Sequence, residues 1–235
     1  ETAGWSRDAA EATPKIAALI AAAQLAAPEP VPTMSYRSGG HVLVIGAYAM
    51  SKYLKMADKK TVTLFADGAG AVVLAAEESD TKRGVLASKL VSQGHYCVWM
   101  GIYGGGTRYP ISEEVLKEQK HLLQFVKKFP KELNPEIWSE MTRTLCERIG
   151  VAPAGVDHFF ITQININSLR ETMDILGQPH AKAHTAMHYF GYTGSACIPM
   201  TFNQAVEQGK VKPGELGMFI GSGGGLAFAA AAVRF

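Results

Sequence analysis

The sequence has little of what marks a secreted, membrane-spanning or nucleic-acid-binding protein. Its 235 residues include three cysteines, Cys97, Cys146 and Cys197. That number is small and odd, so no disulfide framework is expected and a reducing compartment fits. Charge is sparse and nearly balanced, with 23 Lys and Arg against 21 Asp and Glu. No basic block is interleaved with aromatics, so no nucleic-acid partner is expected. No apolar run reaches the length of a membrane span. The alanine-rich stretch 16–27 is broken by Gln24 and lacks the layout of a signal peptide. A soluble, cytoplasmic chain with no membrane partner is the expectation.

What is present is glycine and aliphatic residues. With 24 glycines and 47% hydrophobic residues, the chain can bury a substantial core. The stretch LFADGAGAVVL (64–74) sets Asp67, Gly68 and Gly70 between two apolar runs. A phosphate loop needs a helix N-terminus after its glycines, so that free N–H groups face the anion. Here the glycines lead into AVVLAA, β-branched at Val72 and Val73, which reads as a buried strand. Close backbone packing is the expected use of these glycines, and Asp67 is expected to cap neighbouring backbone N–H groups.

Along the chain, Thr13-Pro14 starts a helix carrying Ile16, Leu19, Ile20 and Ala23 on one face, which ends before PEPVP (28–32). HVLVIGA (41–47) is a dense apolar run of buried-strand type. Residues 82–100 read as extended, and GIYGGGTRYP (101–110) as a glycine-rich loop. Ser112 opens a charged helix expected to run to Phe129, acidic in its first turn and basic in its last. Asn134-Pro135 caps a helix with a stripe of Ile137, Trp138, Met141 and Leu145, ending at Gly150. HFFITQI (158–164) is a strand, and SLRETMDIL (168–176) a helix closed by Gly177. A further helix runs from Ser195 through Ile198, Phe202 and Val206 to Gly209. The ending, ELGMFIGSGGGLAFAAAAVRF, reads as strand, glycine turn, strand.

Two parts of the chain are alike. HVLVIG and LGMFIG both lead to a glycine cluster and then to a small-residue strand, AGAVVLAA in one case and GLAFAAAAV in the other. This internal repeat implies a duplicated α/β unit, each copy giving a buried central strand with its hairpin partner.

LFADGAGAVVL, YGGGTRYP, FITQIN followed by FGYTGSACIP, and the terminal GSGGGLAFAAAAVRF together resemble ketoacyl-acyl-carrier-protein synthase III, a thiolase-fold condensing enzyme. The similarity runs from about Ser35 to Phe235 with the motifs in the family's order. It implies an α/β fold, a layered αβαβα sandwich of two duplicated βαβαβαββ halves, here 1–81 (incomplete) and 82–235. It also implies acyl transfer or condensation on thioesters of coenzyme A or acyl carrier protein, no cofactor, and a homodimer or a heterodimer with a related subunit. The alternative is a non-catalytic thiolase-fold subunit supporting a catalytic partner.

The resemblance departs at the catalytic positions. Where the family has His-Gln-Ala-Asn stand Thr162, Gln163, Ile164 and Asn165. Where it has Gly-Asn-Thr-Ser-Ala stand Gly191, Tyr192, Thr193, Gly194 and Ser195. Thr162 and Tyr192 thus take the histidine and asparagine positions and are expected to offer hydroxyl donors. Gln163, Asn165, Gly223 and Gly224 are the expected substrate-binding residues. The family's nucleophilic cysteine heads a buried helix upstream of SYRSGG, and no such segment stands in this sequence. Either residues are omitted near 32–35 or the chain is a truncated member; a half-sheet without its central strand would leave backbone groups unpaired, which favours omission. Cys197, in the first turn of its helix, is read as a small buried residue rather than a thiol activated by the helix dipole. His180, His184 and His188 recur at four-residue spacing, as metal ligands do on a helix. Pro179 and the resemblance make that segment a loop and strand instead, so no metal is expected. His188, four residues from Tyr192, is expected to approach the pocket.

Overall fold

The computed structural model describes residues 40–78 and 82–235. The expected helix after Thr13-Pro14 and the PEPVP segment lie outside the described residues. Residues 40–235 form one compact unit.

The chain enters through β1 (Val42–Tyr48), passes a short helix α1 (Lys59–Val62) and returns along β2 (Gly68–Leu74). These strands pair antiparallel with Gly46 opposite Gly70. Asp67, just before β2, accepts from the Ser51 backbone N–H at 2.8 Å and the Ser51 hydroxyl at 2.5 Å, which is the capping role expected of it. The apolar run of β1 was expected to be buried and is not: Val42, Leu43, Val44 and Ile45 are 50–62% exposed. Among the described residues β2 is the only strand that pairs with β1, and what packs closely on the pair meets its glycines, leaving the aliphatic end uncovered.

β3 (Gly84–Ser92) follows, but the extended reading over 82–100 holds only that far, because Gly94–Tyr96 turns in a 3-10 helix. The glycine-rich loop leads to α2 (Glu113–Lys117), capped by Ser112, whose hydroxyl accepts from the Val115 N–H at 3.2 Å. The helix expected to reach Phe129 stops here. Gln119 adopts φ 56°, Leu123 donates to Tyr53 O at 2.7 Å, and the two-residue strands β4 (Met100–Gly101) and β5 (Gln124–Phe125) pair. Burial of Val115 and Leu123 overrides a local preference worth only tenths of a kcal/mol per residue.

α3 (Leu133–Arg148) carries the predicted stripe: Trp138, Met141 and Leu145 have no exposed surface. It begins slightly earlier than expected, with Glu132 at the cap position and Pro135 in its first turn, where the missing N–H costs nothing. It ends at Gly150, φ 71°. β6 (His158–Ile161), α4 (Ile166–Ile175), α5 (Met187–Phe190), α6 (Cys197–Glu207), β7 (Leu216–Gly223) and β8 (Ala227–Arg234) complete the chain. The sheet order is β3-β8-β7-β6, with β6 and β7 parallel and the other pairs antiparallel.

Alternation along β6 and β7 separates two faces. Phe159, Ile161, Met218 and Ile220 join the core with Trp138, Met141, Leu169 and Met173 of α3 and α4. Phe160 and Phe219 point the other way and meet Phe202 of α6 at 5.2 and 5.3 Å between ring centroids. α6 also packs on β2, giving the layers helix, sheet, helix, sheet. The repeat is visible in this arrangement. A Cβ on Gly46 of β1 would stand 2.4 Å from Ser195 O, and one on the corresponding Gly221 of β7 would stand 3.6 Å from Ile198 Cδ1. Equivalent glycines of the two copies thus face one helix start, but only Gly46 serves close backbone packing, and at Gly221 the contact is an ordinary one.

Candidate active site

A cavity of about 1350 Å³ opens where β6 and β7 end, the side of parallel strands at which α/β folds place ligands. Its walls are mainly apolar, with Phe65, Leu123, Phe129 and Phe228 among them, and its polar groups include Thr162, Asn165, Tyr192 and Ser222.

Thr162 follows β6 directly and is 2% exposed. Its hydroxyl accepts from the Ser222 N–H at 2.7 Å and points its own proton towards Ile220 O at 3.4 Å. Both bonds tie it to β7. Gln163, expected to bind substrate, is used differently. Its amide donates to Ile161 O at 2.8 Å and to His184 O at 3.2 Å, and its carbonyl accepts from the Ala186 N–H at 2.9 Å. With those atoms spent on backbone, it pins the 184–186 segment to the end of β6 and does not line the cavity. Asn165 does line it and also caps α4, accepting from the Asn167 N–H at 2.9 Å. Gly223 and Gly224 form part of the rim.

Tyr192 is fixed by its backbone, which donates to Leu64 O at 3.2 Å and accepts from the Ala66 N–H at 2.9 Å. Its ring packs on Phe65 at 5.5 Å and near Tyr48 at 6.2 Å. The hydroxyl has no hydrogen-bond partner among the described residues and belongs to the cavity lining. Burial, helped by the neighbouring Cys197 and Tyr48, raises its pKa well above the ordinary tyrosine value, so it remains a donor. Tyr48 is pushed up to about 12, again mainly by burial.

Cys197 is 3% exposed and accepts weakly from the Gln163 N–H at 3.5 Å. Burial pushes its thiol up to about 11. Desolvation therefore outweighs the helix dipole, and Cys197 is a small packed residue, as read from the sequence. His188 departs from expectation. It lines a separate polar cavity of about 270 Å³ with His184 and Lys210, not the one that holds Tyr192. Of the three spaced histidines, His180 stands apart and binds Asp174 at 2.7 Å. His184 binds His158 at 2.9 Å and shares the small cavity with His188, which lies on the short helix α5 and not in the expected loop and strand. No cluster of three metal-ligating side chains occurs among the described residues.

Tyr48 and Ser222 line the cavity but were not singled out in the sequence. The signal was available for each: Tyr48 closes the repeated strand, and Ser222 immediately precedes the glycine cluster.

The layered α/β fold is that of the thiolase-type solved structures with which the chain superimposes. Residues 33–94 match the family described as 3-oxoacyl-[acyl-carrier-protein (ACP)] synthase III, and residues 146–235 its C-terminal part. The chain belongs to this family. It is 34% identical over 203 residues to acetoacetyl CoA synthase NphT7 of Streptomyces sp. (strain CL190), covering 86% of this chain and 61% of that protein. It is 30% identical to the beta-ketoacyl-[acyl-carrier-protein] synthase III of Aliarcobacter butzleri (strain RM4018), covering 83% and 58%. Among solved structures, 3-oxoacyl-(acyl carrier protein) synthase III of Pseudomonas aeruginosa PAO1 superimposes with a TM-score of 0.74 at 26% identity, covering 83% of this chain and 59% of that one. The chain thus spans about three-fifths of the length of these relatives. No described helix is long and apolar enough to cross a membrane.

Proposed function

We propose that the protein is an acyltransferase or condensing enzyme of the 3-oxoacyl-ACP synthase III type, acting on thioesters of coenzyme A or acyl carrier protein. The cavity at the ends of β6 and β7 supports this reading, because it is lined by both Thr162 and Tyr192, the residues that the motif resemblance sets at the family's histidine and asparagine positions. The substrate class follows the names of the relatives, an acetoacetyl CoA synthase and acyl-carrier-protein synthases. In such chemistry a thiolate attacks the thioester carbonyl, the acyl group moves to the enzyme, and the carrier thiol leaves with a proton. The acyl group then passes to the acceptor. Neither imidazole nor amide is present at the two positions, so transfer to an acceptor is favoured over decarboxylative condensation. The family's nucleophilic cysteine has no counterpart in this sequence, whose three cysteines all lie elsewhere. No organic cofactor or metal is assigned, and the assembly is a homodimer or a heterodimer with a related subunit. The halves are 1–81 and 82–235.

A specific observation favours a second reading, a non-catalytic subunit. Thr162 spends its hydroxyl on β7, and Cys197 is buried with a raised pKa. The test is incubation of the full-length protein with radiolabelled acyl-CoA, acid quench and peptide mapping. Label retained on a cysteine supports the enzyme. A folded protein that retains none and transfers none supports the subunit.

A further inference from the structure

Ser222 lines the cavity beside Thr162 in a way that the family positions do not account for. It lies near the end of β7 and is bound from two sides. Its backbone N–H donates to Thr162 Oγ1 at 2.7 Å, which fixes the residue beside the end of β6. Its hydroxyl oxygen accepts from the indole Nε1–H of Trp138 at 2.7 Å.

The second bond sets a direction. An indole nitrogen can only donate, and Trp138 has no exposed surface, so the indole cannot turn to water. The Ser222 oxygen is therefore held as an acceptor on its Trp138 side. Its own O–H proton has no acceptor among the described residues, while Ser222 lines the cavity. A hydroxyl bound in this way is an oriented donor facing a largely apolar space, where a hydrogen bond to developing negative charge is worth more than in water. Thr162, by contrast, directs its proton at Ile220 O.

We propose that Ser222, oriented by Trp138, donates a hydrogen bond to the thioester carbonyl oxygen during acyl transfer and supplies at this end of the cavity the donor that Thr162 does not. This rests on the acyl-transfer reading above. The bond forms without covalent change at Ser222, and the negative charge that it stabilises is that of the carbonyl oxygen under attack.

The experiment uses the full-length protein and acetyl-CoA carrying a carbon-13 thioester carbonyl. Ser222→Ala is expected to lower kcat roughly ten- to a hundredfold with little change in KM, and to shift the bound carbonyl stretch to higher frequency in difference infrared spectra. Trp138→Phe keeps the bulk and removes the donor, and is expected to give part of both effects. Added to Ser222→Ala, it should change neither further, because the two residues act as one unit. A Ser222→Ala protein with the parent's turnover and carbonyl frequency overturns the proposal and leaves the acyl-transfer reading standing. A folded parent that neither binds nor transfers the acyl group overturns both.

Discussion

Thr162 and Ser222, sixty positions apart in sequence, are joined by a 2.7 Å hydrogen bond from the Ser222 backbone N–H to the Thr162 hydroxyl oxygen. That bond makes Thr162 a brace between β6 and β7. Thr162→Val preserves the shape and leaves the Ser222 N–H without its partner, which costs about 1–3 kcal/mol. The urea midpoint should fall accordingly. An unchanged midpoint would show that water or a shifted strand takes over the bond.

Tyr192 is the complementary case, with a hydroxyl that has no hydrogen-bond partner among the described residues. Under the proposed function, Tyr192→Phe should slow acyl transfer roughly a hundredfold, the usual cost of one lost donor at a developing oxyanion. Because burial raises its pKa, its ionisation should put no inflection in the rate profile up to about pH 10. A variant as fast as the parent would reduce Tyr192 to a packing residue.

Gly46→Ala tests the close approach of β1 to the start of α6. The new methyl would stand 2.4 Å from Ser195 O, a backbone atom that cannot swing aside. A loss of about 1–3 kcal/mol is expected from overpacking, read as a lower thermal midpoint. Gly106→Ala has open space around it and serves as the control.

The hydrogen-bonded chain Glu215–His158–His184, with His158 buried at its centre, makes stability depend on acidity. His158 lies 2.8 Å from Glu215 and 2.9 Å from His184. Burial, with the charges of His158 and Lys210, depresses His184 to about 4. Between that value and its ordinary 6.5, the unfolded state binds the proton and the folded state does not, so stability falls as pH drops through this window. Glu215 is also depressed, chiefly by its bond to His158; its contribution is present above the ordinary carboxylate range and is lost on acidification, in the same direction. The loss from His184 is about 2 kcal/mol after allowance for partial exposure. Urea midpoints from pH 7 to pH 4 measure it, and His184→Gln should flatten the curve.

The cysteines should separate by burial. Cys97 is exposed, whereas Cys146 and Cys197 are buried, and burial raises the pKa of both buried thiols. A thiol reagent at neutral pH should label Cys97 in the native state and the other two only on unfolding. Labelling of native Cys197 would revive it as a reactive group.

The elements that could be read locally were those with local causes. The stripe of Ile137, Trp138, Met141 and Leu145 specifies α3 whatever it packs against, and Gly150, Gly177 and Gly209 end helices because each adopts a positive φ that other residues resist. The helix expected over 112–129 failed because Leu123 is drawn to Tyr53 O, a partner seventy positions away that no local pattern encodes. The exposure of Val42 to Ile45 was equally invisible, since an apolar run does not say whether a neighbouring layer is there to cover it.

The sequence by itself determined the duplicated strand–glycine–strand pattern, which follows from residue type and spacing. Its motifs carry the resemblance that implies the class of fold and sets Thr162 and Tyr192 at the family's histidine and asparagine positions. Only the tertiary structure decided what those residues can do. It spent the hydroxyl of Thr162 on Ser222, turned Gln163 towards the backbone, sent His188 to another cavity and set Trp138 against Ser222 from 84 positions away. The physical reason is that a hydrogen bond a few tenths of an ångström long or short of its optimum changes a donor's availability, and such distances are fixed only when the layers pack.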